Sequence, residues 1–331
     1  HRLIRRQRQM CIRDRQGRAQ TKSAVSYKNP VVDIAMPDPT VIKAADGYFY
    51  VYATESTRNV PIMKSKDLVE WTYCNTAFTN KTRPRFEPKA GIWAPDINYI
   101  NGKYVLYYAM SVWGGEQTCG IGVATANSPQ GPFTDHGKMF RSNEIGVQNS
   151  IDPSLLQYEG RNYLVWGSFR GIYVIELTAD GLSIMSGAKK KRIAGTAFEA
   201  VYIHKHGDYY YMFASIGSCC QGVKSTYKVV VGRSKKVWGP YKDKTGKPML
   251  KNGYSLVIGA NDHFVGNGHG SQIIQDDAGQ DWLLYHGFSR STPENGRILL
   301  LDQIKWDQEG WPYVEGGSPS YETQKAPVFN N

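Results

Sequence analysis

The chain has 331 residues, 41% hydrophobic and 21% charged, with a mean hydropathy of −0.47, a soluble globular profile that excludes disorder and collagen-like repetition. No run approaches the ~18 apolar residues of a membrane helix, so no membrane span is expected. The formal net charge of +11 raises nucleic acid as a partner, and its distribution decides how far to take that.

Most of the charge sits at one end. Between His1 and Lys22 lie seven arginines (Arg2, Arg5, Arg6, Arg8, Arg13, Arg15, Arg18) and Lys22, against the single acid Asp14. The rest is spread thinly, so no basic groove and no nucleic-acid partner are expected in the folded body. Residues 1–24 lack a signal-peptide apolar core and read as a disordered, non-native leader; a nucleic-acid arm is the rival reading.

Residues 25–331 then read as one catalytic domain. A polar turn followed by an aromatic strand recurs five times: DGYFYVYATE from Asp46, NGKYVLYYAM from Asn101, EGRNYLVWGS from Glu159, HGDYYYMFAS from His206 and AGQDWLLYHG from Ala278. The turn glycines are Gly47, Gly102, Gly160, Gly207 and Gly279, spaced by 55, 58, 47 and 72 residues. Each phrase reads as the second strand of a hairpin. The first strands come from MPDPTVIK, WAPDINYI, SIDPSLLQ, FEAVYIHK and GHGSQIIQ, and third phrases such as GIGVATANSPQGPF and VVVGRSKKVWGPY add one or two more strands to each unit. Long amphipathic helices are absent. Five such antiparallel units predict an all-β chain, a five-bladed β-propeller.

In a propeller the openings of the innermost strands converge on one axis. That gathers Asp38, Asp96, Asp152, Glu199 and the His269 segment around one cavity. Asp38 and Asp152 precede proline, which holds the acid extended; a lone Asp-Pro can equally cap a turn. Asp38, Asp152 and Glu199, three acids converging on one cavity, favour a site, because gathered like charges are costly unless used. Inverting glycoside hydrolysis needs such a set: one carboxylate to activate water and one carboxylic acid to protonate the leaving oxygen. Trp93, Trp113, Phe169 and Tyr202 lie near the acids in sequence and are candidates for sugar platforms or for core.

The phrases MPDPTVI, GIWAPDI, SIDPSLL with GSFRGIYVIEL, FEAVYI, SCCQGVKSTYKVVVGRS, GNGHGSQ and LLYHGF with LDQIKWDQEGWP together resemble glycoside hydrolase family 43. Within the family, the similarity is greatest to the endo-1,5-α-L-arabinanases. The resemblance implies cleavage of internal α-1,5-L-arabinofuranosyl bonds of arabinan, in pectin side chains, with inversion. It makes Asp38 the general base, Glu199 the general acid, and Asp152 the group that orients Glu199 and raises its pKa. It implies calcium near His269 in the central channel and no organic cofactor; alternatively His269 only hydrogen-bonds an acid. Trp93 would stack on substrate, Asn149, Ser150 and Ser168 would line the central subsite, and Arg297 would contact a sugar hydroxyl beside Asp152. Two phrases depart from the family pattern: Pro37 stands where histidine is usual, and GHGSQ replaces His-Asn-Ser or His-Cys-Ser.

A polymeric substrate implies a secreted or periplasmic enzyme, and a monomer is expected. The alternatives are an exo-acting α-L-arabinofuranosidase or β-xylosidase, or a catalytically inactive carbohydrate-binding propeller. Of the five cysteines, Cys11, Cys74, Cys119, Cys219 and Cys220, none forms a C-x-x-C pair, which argues against a zinc site. Cys219 and Cys220 are either a vicinal disulfide or two thiols.

Overall fold

All five turn glycines have positive φ, between 52° for Gly207 and 81° for Gly47, a backbone that residues with a Cβ rarely adopt. Each joins the first two strands of a four-stranded antiparallel blade. The structure, a computed structural model, describes residues 25–330; the expected leader, residues 1–24, lies outside them.

Blade one comprises Thr40–Lys43, Phe49–Tyr52, Pro61–Ser65 and Thr72–Thr76, and blade two Gly91–Ile100, Lys103–Ser111, Gly120–Ala126 and Thr134–Arg141. Blade three runs Ser154–Tyr158, Arg161–Trp166, Ile172–Glu176 and Lys191–Ala194, and blade four Glu199–His206, Tyr209–Ile216, Lys228–Ser234 and Ser255–Ile258. Blade five starts at Phe264–Gly268, resumes at Ile274–Gln275, and continues through Asp281–Ser289 and Ile298–Trp306. Its outermost strand comes from the other end of the chain: Val32–Ala35 pairs with Ile298–Trp306. The ring is thereby closed by non-covalent bonds between the two ends. Asn29 reinforces the closure, accepting from Leu301 N at 2.8 Å and donating to Leu301 O at 2.9 Å.

The aromatic phrases are apolar on both faces because every blade is packed on both faces. In FYVY of blade one, Tyr50 and Tyr52 face Leu106 and Tyr108 of blade two. Phe49 and Val51 face Trp282, Leu284 and Leu301 of blade five. The core is therefore five inter-blade seams. Each large side chain enclosed in a seam contributes about 1.5–3 kcal/mol.

One backbone feature repeats in every blade. Near the axis, one residue of each inner segment takes the left-handed conformation: Asp38 (φ 54°), Ala94 (43°), Asp152 (56°), Ala200 (53°) and His269 (51°), so Asp38 and Asp152 are not extended as their Asp-Pro phrases predict. Such a residue breaks the ladder locally, seen as register shifts between Trp93 and Asp96 and between Glu199 and Tyr202, and as the end of the Phe264–Gly268 strand just before His269. Blade five consequently begins before GHGSQ, not at it, and its inner strand is interrupted at the kink. Five equivalent strained residues around one axis mark a functional centre.

Candidate active site

The kink sorts the acids that sequence placed in one ring. Asp38, Asp152 and His269 occupy the kink itself, Glu199 stands one residue before it, and Asp96 two residues after. Asp38 and Glu199 therefore face an open cleft of about 780 Å³, while Asp96 lines a narrow channel beneath it. Asp152 and His269 line both spaces.

Asp38 is buried among donors from blade five and from the neighbouring strand of its own blade. Arg297 Nη1 donates to its Oδ1 at 2.7 Å and Thr54 Oγ1 to its Oδ2 at 2.6 Å. His269 Nδ1 lies 3.2 Å from the same Oδ1. Burial pushes the Asp38 carboxyl up, but the charges of Arg297 and then His269, with hydrogen bonds, hold it well below the usual carboxylate range. Its backbone N–H donates to His286 Nδ1 at 3.0 Å. Burial pushes His286 down to about 4, so this ring is neutral and keeps its proton on Nε2.

Glu199 and Asp152 share the opposite environment. Burial, and for Asp152 next the charge of Glu199, pushes both carboxyls up, so the pair holds a proton into the neutral range. Ser168 Oγ donates to Glu199 Oε2 at 2.6 Å, and the Tyr227 hydroxyl also bonds Glu199. Asn149 Nδ2 donates to Ser168 Oγ at 2.9 Å. Asn149 and Ser168 thus form a relay that aims Glu199 at the cleft. Asp152 Oδ2 accepts from Ala200 N at 3.0 Å, which fixes it behind Glu199.

Trp93 and Trp113 supply an aromatic wall, with ring centroids 5.5 Å apart. Trp113 is 78% exposed, an unusual fraction for a tryptophan and a surface ready to stack on a sugar face. Phe169 lines the same cleft, whereas Tyr202 lines the channel below. Cys219 and Cys220 are joined as a vicinal disulfide at the cleft wall.

Of the remaining expected subsite residues, Arg297 lines the cleft and Ser150 does not. Ser150 is buried behind the wall, its hydroxyl donating to Val147 O and accepting from Trp166 Nε1. Arg297 reaches Asp38, not Asp152, because Val32–Ala35 docks on the strand that starts at Ile298 and turns Arg297 toward blade one; Met36 N bonds Arg297 O at 2.9 Å.

Thr54, Tyr227 and His286 were not anticipated. Thr54 and His286 belong to a second repeated position, the second-strand residue opposite the one before each kink. There Thr54 N bonds Pro37 O and Gly167 N bonds Ile151 O, while Ala109, Ser215 and His286 pair with Trp93, Glu199 and Gly268. A histidine inside the apolar phrase LLYHG was the available signal. Tyr227, on the approach to a third strand, carried none.

A carboxylate held ionised and a carboxyl pair held protonated, facing one cleft with an aromatic wall, form the acid–base pair that glycoside hydrolysis requires. The comparisons with known proteins agree. Residues 27–312 match the model of "Glycosyl hydrolases family 43". The chain is 36% identical over 306 residues to an extracellular exo-α-(1→5)-L-arabinofuranosidase of Cellvibrio japonicus, covering 84% of this chain and 86% of that protein. It is equally 36% identical, over 289 residues, to an extracellular endo-α-(1→5)-L-arabinanase of Bacillus subtilis, covering 83% and 86%. Among solved structures, the Cellvibrio cellulosa α-L-arabinanase complexed with arabinohexaose superposes with a TM-score of 0.78 at 33% identity, over 86% of this chain and 96% of that one. The chain belongs to glycosyl hydrolase family 43.

Proposed function

We propose that the protein hydrolyses internal α-1,5-L-arabinofuranosyl bonds of arabinan with inversion of configuration. The observation that carries the reading is the opposed electrostatics of Asp38 and the Asp152–Glu199 pair across one cleft. Asp38, ionised, takes a proton from a water whose oxygen bonds to the anomeric carbon. Glu199 gives its proton to the departing glycosidic oxygen as that C–O bond breaks, and no covalent glycosyl intermediate forms. Asp152 keeps Glu199 protonated and in place. Trp93 and Trp113 hold sugar rings by stacking, and Arg297 acts through Asp38.

The residue set around the axis suits a calcium ion: Asp96, Asp152, Thr40, Ser154 and Ser271, all with oxygen-bearing side chains, line the channel, and Asp38 holds His269 by Nδ1, leaving Nε2 for a ligand. His269 with channel oxygens would hold the ion, which would supply positive charge that offsets the buried acids. The vicinal disulfide suits an oxidising compartment, and the relatives above are named extracellular, so the enzyme is read as secreted or periplasmic. It is read as a monomer. No described helix is long and apolar enough to cross a membrane.

An open cleft with an exposed Trp113 favours endo action, whereas the similarity to the Cellvibrio japonicus exo enzyme favours release from a chain end. Product profiles from debranched linear arabinan decide between them. Mixed oligosaccharides at the first time points support endo cleavage; one short product from the outset supports exo cleavage. No release of sugar, with arabinan still bound, would mean an inactive binding propeller.

A further inference from the structure

The joint between blades four and five carries a second cluster of titratable side chains, at the far end of the strand that begins with Glu199. His204 and His206 stand two residues apart on that strand and so project from the same face of the blade. At ~3.3 Å per residue they lie roughly 17–23 Å from Glu199. Asp281 opens the second strand of blade five. One ring nitrogen from each histidine and one Asp281 oxygen lie within 4.8 Å of one another, and His206 Nδ1 is 3.7 Å from Asp281 Oδ2.

The group is held in position by its neighbours. Trp306 Nε1 donates to Asp281 Oδ2 at 2.8 Å, and Gln275 Nε2 donates to Oδ1 at 3.1 Å. The Trp306 indole stacks on His206, with centroids 3.7 Å apart and planes 7° from parallel. Asp281 is 4% exposed, and among the described residues its ion-pair partner is His206 rather than a lysine or arginine. A buried carboxylate facing imidazoles, with no permanent cation, calls for a positive charge.

We propose that His204, His206 and Asp281 bind one divalent transition-metal ion that pins blade four to blade five. Two imidazoles and a carboxylate suit zinc, copper or nickel over calcium, and the half-exposed side of His206 leaves a fourth position open to water. Ligand atoms around a tetrahedral zinc with ~2.0–2.2 Å bonds lie about 3.4 Å apart, so side-chain shifts of about 1 Å complete the site. This centre uses no cysteine, which is why the absence of C-x-x-C pairs gave no hint of it.

The test is zinc titration of the full chain by calorimetry, with millimolar calcium present to fill oxygen-rich sites, on the wild type, His206→Gln and Asp281→Asn. The proposal predicts that each variant loses one equivalent of zinc or binds it about a hundredfold more weakly, while its calcium-supported arabinan hydrolysis stays at the wild-type rate. It also predicts that zinc at a hundredfold excess over Kd raises the wild-type Tm by roughly 4 °C but leaves the His206→Gln Tm unmoved. Zinc stoichiometry and affinity unchanged by His206→Gln overturn the site, as does a wild type that takes up no zinc. His206 is half exposed, so its variant keeps the test decisive if Asp281→Asn does not fold.

Discussion

Asp38 and Asp152 occupy equivalent places in blades one and three. Both are kink residues with nearly the same φ, both precede proline, and both are buried. Their environments nevertheless drive them apart. Asp38 meets Arg297, His269 and Thr54, donors from blade five and from the neighbouring strand, and stays ionised. Asp152 meets the carboxyl of Glu199 and retains a share of a proton. The difference teaches that the Asp-Pro motif sets a position, whereas charges arriving from other blades set the role.

The comparison can be broken most severely at its two ends. Glu199→Gln and Asp38→Asn each remove a proton-transfer group, and kcat on linear arabinan is expected to fall by about 10⁴-fold in each. Near-wild-type rates in either variant would remove that residue from the reaction. Asp152→Asn deletes the like charge beside Glu199. We expect a loss of about 10³-fold in kcat, with the alkaline limb of the pH profile moving down as the Glu199 carboxyl releases its proton more readily. An unmoved limb would mean that Asp152 does not tune Glu199.

Arg297→Met sharpens the other half of the contrast. The guanidinium is the largest charge opposing the burial of Asp38, so its loss raises that pKa and moves the acid limb upward, with about a hundredfold fall in kcat/KM. If the acid limb stays put while KM rises, Arg297 is a sugar contact and not a partner of the base. The smallest effect belongs to the aromatic wall. Trp113→Ala is expected to raise KM about fivefold with little change in kcat, because stacking on an exposed indole holds substrate without touching the reacting atoms.

Much of the fold was legible because five turn glycines share a backbone requirement and five strands share two buried faces. The closure was not legible. VVDIAM, which contains Val32–Ala35, resembles no other outer strand, and its partner lies more than 260 residues away. The site acids were readable from their place at the start of each inner strand, but not the one- and two-residue offsets that send Asp96 to the channel and Glu199 to the cleft. A local kink decides those, and no residue type announces it, since alanine fills it in two blades. Arg297, Thr54 and His286 act on Asp38 through contacts between strands and blades, so their roles became visible only once the ring was closed. Ser150 erred in the other direction: next to Asn149 in sequence, it turns inward to Trp166.

The central claim is that one buried carboxyl is kept ionised and another protonated across the same cleft. The pH dependence of kcat/KM on linear arabinan tests it directly. Lowering the pH through the depressed pKa of Asp38 protonates the base, and raising it through the elevated pKa of the Asp152–Glu199 pair strips the acid. The account predicts a bell with its acid limb below the ordinary aspartate range and its alkaline limb above the ordinary glutamate range, so that activity persists at neutral pH. An alkaline limb near pH ~4–5, where an unperturbed glutamate ionises, would contradict it.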